Sequence, residues 1–257
     1  MSATVYCRIE DKVAVLTLSN PPLNVVTREL TLALQEHLDA LAQQPQVRAL
    51  VITGEGGKAF CAGSDIAEFA QWLEPGRIVP EKLALQHRVF GQLDHYPKPV
   101  VAALNGLTFG GGLEIALCCD LLVAESQVKL ALPEIKLGVF PSSGGPLRVA
   151  RRIGEARARE LILLGEPIDA ATALHWGLVN RVVATGDSLS AALALARQLA
   201  ERPPVAYGLC KAVISASLDR DESQALAFSL EASAQAFASA ECAEGVRAFL
   251  AKRTPTF

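Results

Sequence analysis

The stretches PVVAALNGLTFGGGLEIALCCDLLVA (99–124) and LALPEIKLGVFPSSGG (130–145) are the most informative part of this 257-residue sequence. Short apolar segments rich in β-branched residues predict strands at 100–103, 121–124 and 128–130. Gly110 and Gly144 each precede a predicted helix. Units of strand, loop and helix therefore recur without a strict sequence period, which predicts an α/β fold of successive parallel turns rather than a classical solenoid.

The two ends of the sequence carry different patterns. Near the N-terminus, segments 5–9 and 13–18 predict a β-hairpin, and Thr27 is a predicted N-cap of an amphipathic helix. The C-terminal part is helical throughout, with predicted helices at 189–201, 205–218, 223–238 and 243–251. We therefore expect a mixed core at 1–190 and a helical part at 191–257. Because no low-complexity linker separates them, they are expected to pack together.

Composition excludes several classes of protein. Hydrophobic residues make up 51% and charged residues 20%, and the mean hydropathy is +0.28, which rules out intrinsic disorder. A net charge of −3 argues against nucleic acid or a membrane surface as a partner. The most apolar run, 113–124, is interrupted by Glu114 and Asp120, so no transmembrane segment is predicted. No signal peptide is evident, and the expected location is the cytoplasm.

The cysteines and histidines show no metal-binding pattern. Six cysteines occur without a CxxC spacing, and four histidines form neither HxxxH nor HExxH. The cysteines are interpreted as small buried residues of a reducing compartment. No metal site is predicted.

Two glycine-rich turns are candidates for a binding site. FCAGSDI (60–66) leaves a predicted strand and enters a helix, and Gly110, Gly111 and Gly112 open a second helix. Small residues let backbone amides approach a ligand closely, and two converging amides can hold a developing oxyanion. Each turn taken alone is also explained by tight packing or by turn geometry.

Two carboxylates lie in apolar surroundings. Glu114 occurs in LEIALCCD, and Glu134 follows Pro133 in LALPEIKLGVFP. Burial raises the pKa of a carboxyl group toward neutrality, which suits acid–base catalysis. The alternative is that one or both pair with a cation, for instance Lys136 or Arg148, and the residues alone do not decide between these interpretations.

Other catalytic motifs fail on spacing. GEGGKA (54–59) lacks the residues of a phosphate-binding loop, and the triple glycine is not the GxGxxG of a dinucleotide site. Pro141 stands where a GxSxG nucleophile turn needs its first glycine, which makes a serine hydrolase a poor fit.

Taken in order, NPPLNVVT (20–27), FCAGSDI, KPVVAALNGLTFGGGLEIALCCDLLVA, LALPEIKLGVFPSSGG and AFLAKRTPTF (248–257) resemble the crotonase (enoyl-CoA hydratase/isomerase) superfamily. The resemblance spans nearly the whole chain. It implies a spiral of ββα turns at 1–190 and a helical trimerisation region at 191–257, assembled as a homotrimer or a homohexamer. It also implies an acyl-coenzyme A thioester as ligand, with coenzyme A entering as part of the substrate and no separate cofactor.

The resemblance implies roles for individual residues. The backbone amides of Ser64 and Gly111 would form an oxyanion hole for the thioester carbonyl, and Glu114 and Glu134 would be the two catalytic glutamates. The residues expected to hold the coenzyme A portion are Ala62, Ser64, Ile66 and Gly111, together with Phe249 and Lys252 reaching a neighbouring subunit.

The implied activity is that of an enoyl-CoA hydratase of fatty acid metabolism, a hydro-lyase that adds water reversibly to a 2-enoyl-CoA through an enolate. Alternatives are a Δ3-Δ2-enoyl-CoA isomerase, which generally needs one carboxylate at the Glu134 position, and a catalytically silent acyl-CoA-binding subunit. LPE and SSGG also resemble the carnitinyl-CoA dehydratase branch, which favours a polar 3-hydroxyacyl-CoA as a further alternative.

Ser142 and Ser143 would then contact the acyl group, although a helix cap at Gly144 is the preferred interpretation. Segment 71–81 is expected to shape the acyl tunnel.

Overall fold

The N-terminal hairpin forms as the sequence predicts. In the computed structural model, which describes residues 3–257, strand β1 (Thr4–Glu10) pairs antiparallel with β2 (Val13–Ser19). Asp11 in the two-residue turn has a φ of 55°, in the left-handed region that aspartate tolerates better than most residues. The hairpin places β1 at the edge of a larger sheet.

Between residues 49 and 131, successive strands alternate between two sheets. The remaining strands are β3 (Ala49–Gly54), β4 (Ala59–Cys61), β5 (Val100–Leu104), β6 (Leu107–Phe109), β7 (Leu121–Glu125), β8 (Lys129–Ala131), β9 (Ile168–Asp169) and β10 (Arg181–Val183). The first sheet has the order β1-β2-β3-β5-β7-β10, and the second has the order β4-β6-β8-β9. Each turn of the chain thus contributes one strand to each sheet, which is the predicted spiral of ββα turns.

Helices follow these strand pairs and then fill the C-terminal part. They are α1 (Arg28–Ala42), α2 (Ile66–Phe69), α3 (Ala84–Asp94), α4 (Gly111–Leu117), α5 (Gly145–Ile153), α6 (Glu155–Leu164), α7 (Ala170–Trp176), α8 (Ser188–Ala200), α9 (Pro204–Asp219), α10 (Glu222–Phe237) and α11 (Ala240–Leu250). The predicted N-cap of α1 is confirmed, since Thr27 Oγ1 accepts the N–H of Leu30 at 3.1 Å. Short 3₁₀ or π segments cover Ala70–Trp72, Val79–Leu83 and Pro133–Leu137.

The sequence pattern also predicts a helix at about 81–93, but the observed helix begins later, at Ala84, after the π turn Val79–Leu83. Pro80 lies in this turn and has no N–H to donate to an α-helical ladder, which accounts for the irregular start.

Two hydrophobic clusters lie on opposite faces of the first sheet. The larger contains apolar residues of α1, α3 and α4 packed on inward-facing side chains such as Leu16 and Leu50. The smaller joins Val15 and Val51 of the sheet to Ala192 and Ala196 of α8. Position 191 therefore lies within a helix that packs on the core, and the division into 1–190 and 191–257 stays a prediction.

The second sheet positions the candidate site. Strands β4, β6 and β8 are neighbours and run parallel, so their carboxyl ends meet at one edge. Ser64, Gly110 and Glu134 each follow one of these three strands within a few residues. The fold therefore brings together the two glycine-rich turns and one of the two carboxylates.

No helix within residues 3–257 combines the length and the apolar character that a membrane crossing needs. All six cysteines are free thiols.

Candidate active site

A cavity of about 460 Å³ opens at the carboxyl edge of the second sheet. This volume falls within the range of small-molecule sites. Its wall includes Ser64, Gly110, Glu114 and Glu134, and the 71–81 segment that was expected to shape a tunnel lines it as well. The predicted catalytic carboxylates therefore share one cavity with the glycine-rich turns.

The backbone at Ser64 lies beside the backbone at Gly111. A Cβ atom built on Gly111 would lie 3.7 Å from the amide nitrogen of Ser64 and 3.2 Å from its Oγ. Asp65 N donates to Val26 O at 3.0 Å and Val26 N donates to Gly63 O at 2.8 Å, so the intervening Ser64 amide points away from Val26. Gly111 is the first residue of α4, and its N–H has no acceptor within the helix. Gly110 rather than the buried Gly111 forms the cavity wall.

Glu114 is held by backbone amides of the next helix. Its side chain is buried, and Oε1 accepts the N–H of Ser143 at 2.7 Å and the N–H of Gly145 at 2.8 Å. Burial raises the pKa of Glu114, and the two amide hydrogen bonds oppose this increase. A Cβ on Gly145 would lie 2.9 Å from Oε1, so a glycine is required where the carboxylate approaches the start of α5.

Glu134 has a contrasting environment. Burial raises its pKa from 4.5 to about 7, and the charge of Glu114 acts in the same direction, while its own backbone N–H opposes the increase. Within residues 3–257, no hydrogen-bond partner is found for its buried Oε2. Gly110 packs against the other oxygen, because a Cβ there would lie 2.9 Å from Oε1. The site thus contains one amide-bound carboxylate and one carboxyl group with a pKa of about 7, so that a substantial fraction of Glu134 is protonated at neutral pH.

The sequence left open whether Glu114 or Glu134 forms a salt bridge with Lys136 or Arg148. Neither carboxylate does so. Lys136 pairs with Glu166 at 2.8 Å, and Arg148 pairs with Asp94 at 2.9 Å. Arg148 reaches Glu114 only indirectly, by donating to the carbonyl oxygen of Ser143 at 2.9 Å.

The prediction that Ser142 or Ser143 caps the helix at Gly144 is wrong. Neither serine hydroxyl accepts an N–H from the first turn of α5. Ser142 Oγ donates to Phe140 O at 2.7 Å, and Ser143 Oγ donates to Gln86 Oε1 at 2.8 Å. The Glu114 carboxylate itself binds the first amide of α5 and leaves the serine side chains to other partners. Ser142 and Ser143 instead line the cavity.

Two buried polar residues, one in the cavity wall and one behind it, were missed by the sequence reasoning. Gln86 lines the cavity with 2% of its surface exposed. Lys82 is buried behind the wall residues Phe69 and Trp72: Nζ lies 2.9 Å from Glu68 Oε2 and above the two rings, 4.7 and 5.7 Å from their centroids. A polar residue on the apolar face of a predicted helix was the available signal for both.

The residues predicted to hold coenzyme A divide into two groups. Ala62 and Ile66 lie in the cavity wall beside Ser64. Phe249, at 83% exposure, and the exposed Lys252 lie outside it at the C-terminal end of the chain. Their predicted role at a neighbouring subunit's site stays a prediction.

The chain resembles proteins of known family along its whole length. The family model described as enoyl-CoA hydratase/isomerase matches residues 8–257. A protein named crotonyl-CoA hydratase from Syntrophomonas wolfei is 36% identical over 249 residues, which cover 96% of this chain and 95% of that protein. A carnitinyl-CoA dehydratase from Salmonella typhi is 33% identical over 262 residues, covering 100% and 99% of the two chains.

A solved structure has the same fold. The crystal structure of an enoyl-CoA hydratase from Bacillus anthracis superposes with a TM-score of 0.93 at 32% identity, covering 99% of this chain and 98% of that one. These similarities confirm the crotonase fold and the predicted enzyme class of hydro-lyase. The chain belongs to the enoyl-CoA hydratase/isomerase family.

Proposed function

We propose that this enzyme is an enoyl-CoA hydratase that adds water reversibly to a 2-enoyl-CoA thioester. The observation that carries the proposal is the pair Glu114 and Glu134, two carboxylates in different environments that face one cavity. Acid–base sites typically hold two carboxyl groups in environments that move their pKa values apart. The relative named crotonyl-CoA hydratase supports a 2-enoyl thioester as substrate.

The amides of Ser64 and Gly111 are proposed to hold the thioester oxygen. Water addition at Cβ moves the π electrons toward this oxygen and produces an enolate, so negative charge develops where the two N–H groups point. A preorganised donor of this kind contributes about 10²–10³-fold to the rate. The proximity of the two backbone segments, with 3.7 Å between a Gly111 Cβ position and Ser64 N, supports this role.

The two glutamates are proposed to divide the proton transfers. Glu114 accepts a proton from the attacking water while the C–O bond forms at Cβ, since amide hydrogen bonds favour its charged form. Glu134, with a pKa of about 7, donates a proton to Cα as the enolate collapses. In the reverse direction, Glu134 removes the Cα proton and Glu114 protonates the leaving hydroxyl group.

The wider expectations from the sequence are retained as proposals. Coenzyme A enters as part of the substrate, with no separate cofactor, and the cytoplasm is the proposed location. We propose a homotrimer or homohexamer, because the C-terminal helices expose large apolar side chains, including Leu230 at 74% and Phe237 at 79% exposure. Apolar patches of this kind mark subunit interfaces.

Loss of the ultraviolet absorbance of the conjugated thioester in crotonyl-CoA tests the proposal. Wild type should remove this band rapidly, and Glu114→Gln and Glu134→Gln should each lower the rate by about 10²–10⁴-fold. Near-normal turnover by Glu114→Gln would exclude the proposed mechanism, in which Glu114 activates the water. Wild type that leaves the band of every enoyl-CoA tested unchanged would refute the proposed function.

A further inference from the structure

Gln86 is a buried polar residue whose amide oxygen has a hydrogen-bond partner and whose amide nitrogen has none among the described residues. Its side chain lies on α3 in the cavity wall, and only 2% of the residue's surface is exposed. The amide oxygen Oε1 accepts the Ser143 hydroxyl at 2.8 Å. Among residues 3–257, the amide nitrogen Nε2 has no hydrogen-bond acceptor. Nε2 is not sealed inside the protein, because Gln86 lines the cavity, so a group that enters the cavity can accept its hydrogen bond.

The position of Gln86 is coupled to the catalytic carboxylate. Ser143 binds Gln86 through its hydroxyl group and Glu114 through its backbone N–H at 2.7 Å. A single residue therefore separates the free amide nitrogen from Glu114. If Glu114 acts at Cβ, as proposed, the part of the acyl group that follows Cβ would come nearest to Gln86, since both side chains line the cavity and share Ser143 as a partner.

The other side chains that line the cavity indicate which chemical group would accept the hydrogen bond of Gln86. The charged side chains that line the cavity are Glu74, Glu114 and Glu134, all of them acidic, and the described lining contains no basic side chain. An anionic acyl substituent would face three carboxyl groups without a counter-ion. Apolar side chains such as Phe140 and Leu137 cover much of the rest. An uncharged oxygen on an otherwise apolar acyl chain fits both properties.

We infer that Gln86 is a specificity-determining residue that donates a hydrogen bond from Nε2 to an uncharged oxygen, a hydroxyl or carbonyl group, on the acyl chain beyond Cβ. The hydroxyl group of Ser143 orients the amide for this contact. The inference rests on the proposed hydratase function and specifies its substrate as an oxygen-substituted acyl thioester.

Matched pairs of substrates test this contact. 4-Hydroxybut-2-enoyl-CoA is compared with pent-2-enoyl-CoA, and 5-hydroxypent-2-enoyl-CoA with hex-2-enoyl-CoA, so that a hydroxyl replaces a methyl group in each pair. Wild type should show a higher kcat/KM for the hydroxylated member of at least one pair. Gln86→Met should lower that preference about tenfold, since the shape is kept and the donor is lost. Gln92→Met is the control, because Gln92 lies on the same helix but donates to Asp39 at 2.7 Å, outside the cavity.

The ratio of kcat/KM between the two members of a pair distinguishes substrate recognition by Gln86 from a purely structural role. If Gln86 only braced Ser143 and Glu114, Gln86→Met would lower kcat/KM for both members of a pair equally. An unchanged ratio, or a wild type that prefers the methyl compounds in both pairs, would overturn the inference while crotonyl-CoA hydration upholds the proposed function.

Binding of saturated analogues needs no turnover. 4-Hydroxybutyryl-CoA should bind more tightly than pentanoyl-CoA, or 5-hydroxypentanoyl-CoA more tightly than hexanoyl-CoA, and Gln86→Met should remove the difference in calorimetry. Equal affinities in wild type for both pairs would overturn the inference even if no enoyl-CoA were hydrated, so the two failures are distinguishable.

Discussion

Replacing Glu134 by glutamine should make the stability of the protein less sensitive to pH. Burial raises the pKa of this carboxyl group from 4.5 to about 7 in the folded protein, and unfolding restores the ordinary value. Below pH 4.5 both states hold the proton, and the group adds no difference between them. As pH rises toward 7, the unfolded chain releases the proton first, so wild type loses stability across this window and the loss is complete above it.

The size of the effect follows from the two pKa values. Each pH unit between 4.5 and 7 corresponds to about 1.4 kcal/mol, which gives a total of about 3 kcal/mol. Glutamine cannot ionise, so the variant does not undergo this loss. Relative to wild type, Glu134→Gln should therefore gain about 3 kcal/mol in free energy of unfolding between pH 4.5 and pH 8.

Urea unfolding of both proteins at pH 4.5 and pH 8 measures this change. Any effect of the buried glutamine amide is the same at both pH values and cancels in the comparison. A difference between the proteins that stays constant with pH, or one that moves in favour of wild type at pH 8, would refute the argument that Glu134 is protonated near neutrality.

Three further predictions concern activity and the cavity wall. Both directions need one proton on the pair Glu114 and Glu134, so kcat/KM for hydration and for dehydration should fall together, about tenfold per pH unit above pH 7; a kcat/KM that stays constant to about pH 9 would contradict the assigned roles. Gly110→Ala places a methyl group 2.9 Å from Glu134 Oε1 at a φ of 49°, and should lower kcat at least about tenfold while circular dichroism is preserved; wild-type kcat would contradict the required fit. Lys82→Met leaves Glu68 without its cation and should lower the free energy of unfolding by about 2–3 kcal/mol in urea, whereas unchanged stability would contradict a structural role for this pair.

The fold was predictable because its signals are local. The hairpin at β1 and β2, the Thr27 cap and the four C-terminal helices follow from periodicity and from turn chemistry within short windows. The order of strands in two separate sheets has no local signal, and it entered only through the resemblance to a family. The start of α3 was misplaced because helical periodicity does not distinguish the π turn Val79–Leu83, which contains Pro80, from an α-helical turn.

The sequence predicted which residues form the site better than it predicted the contacts between them. Carboxylates in apolar sequence drew attention to Glu114 and Glu134, but nothing local shows that Glu114 binds the start of α5 rather than Arg148. Gln86 and Ser143 are 57 residues apart and meet only in the folded chain. Contacts of this kind depend on tertiary packing, which explains both the wrong serine cap and the missed glutamine.

The most direct test of the central proposal is deuterium exchange at Cα. When 3-hydroxybutyryl-CoA is incubated with enzyme in D₂O, nuclear magnetic resonance reports how fast the Cα hydrogen is replaced. Wild type should exchange it, Glu134→Gln should not, and Glu166→Gln should behave as wild type, since Glu166 pairs with Lys136 at the surface. Exchange by Glu134→Gln at the wild-type rate would contradict the assignment of Glu134 as the group that moves the Cα proton.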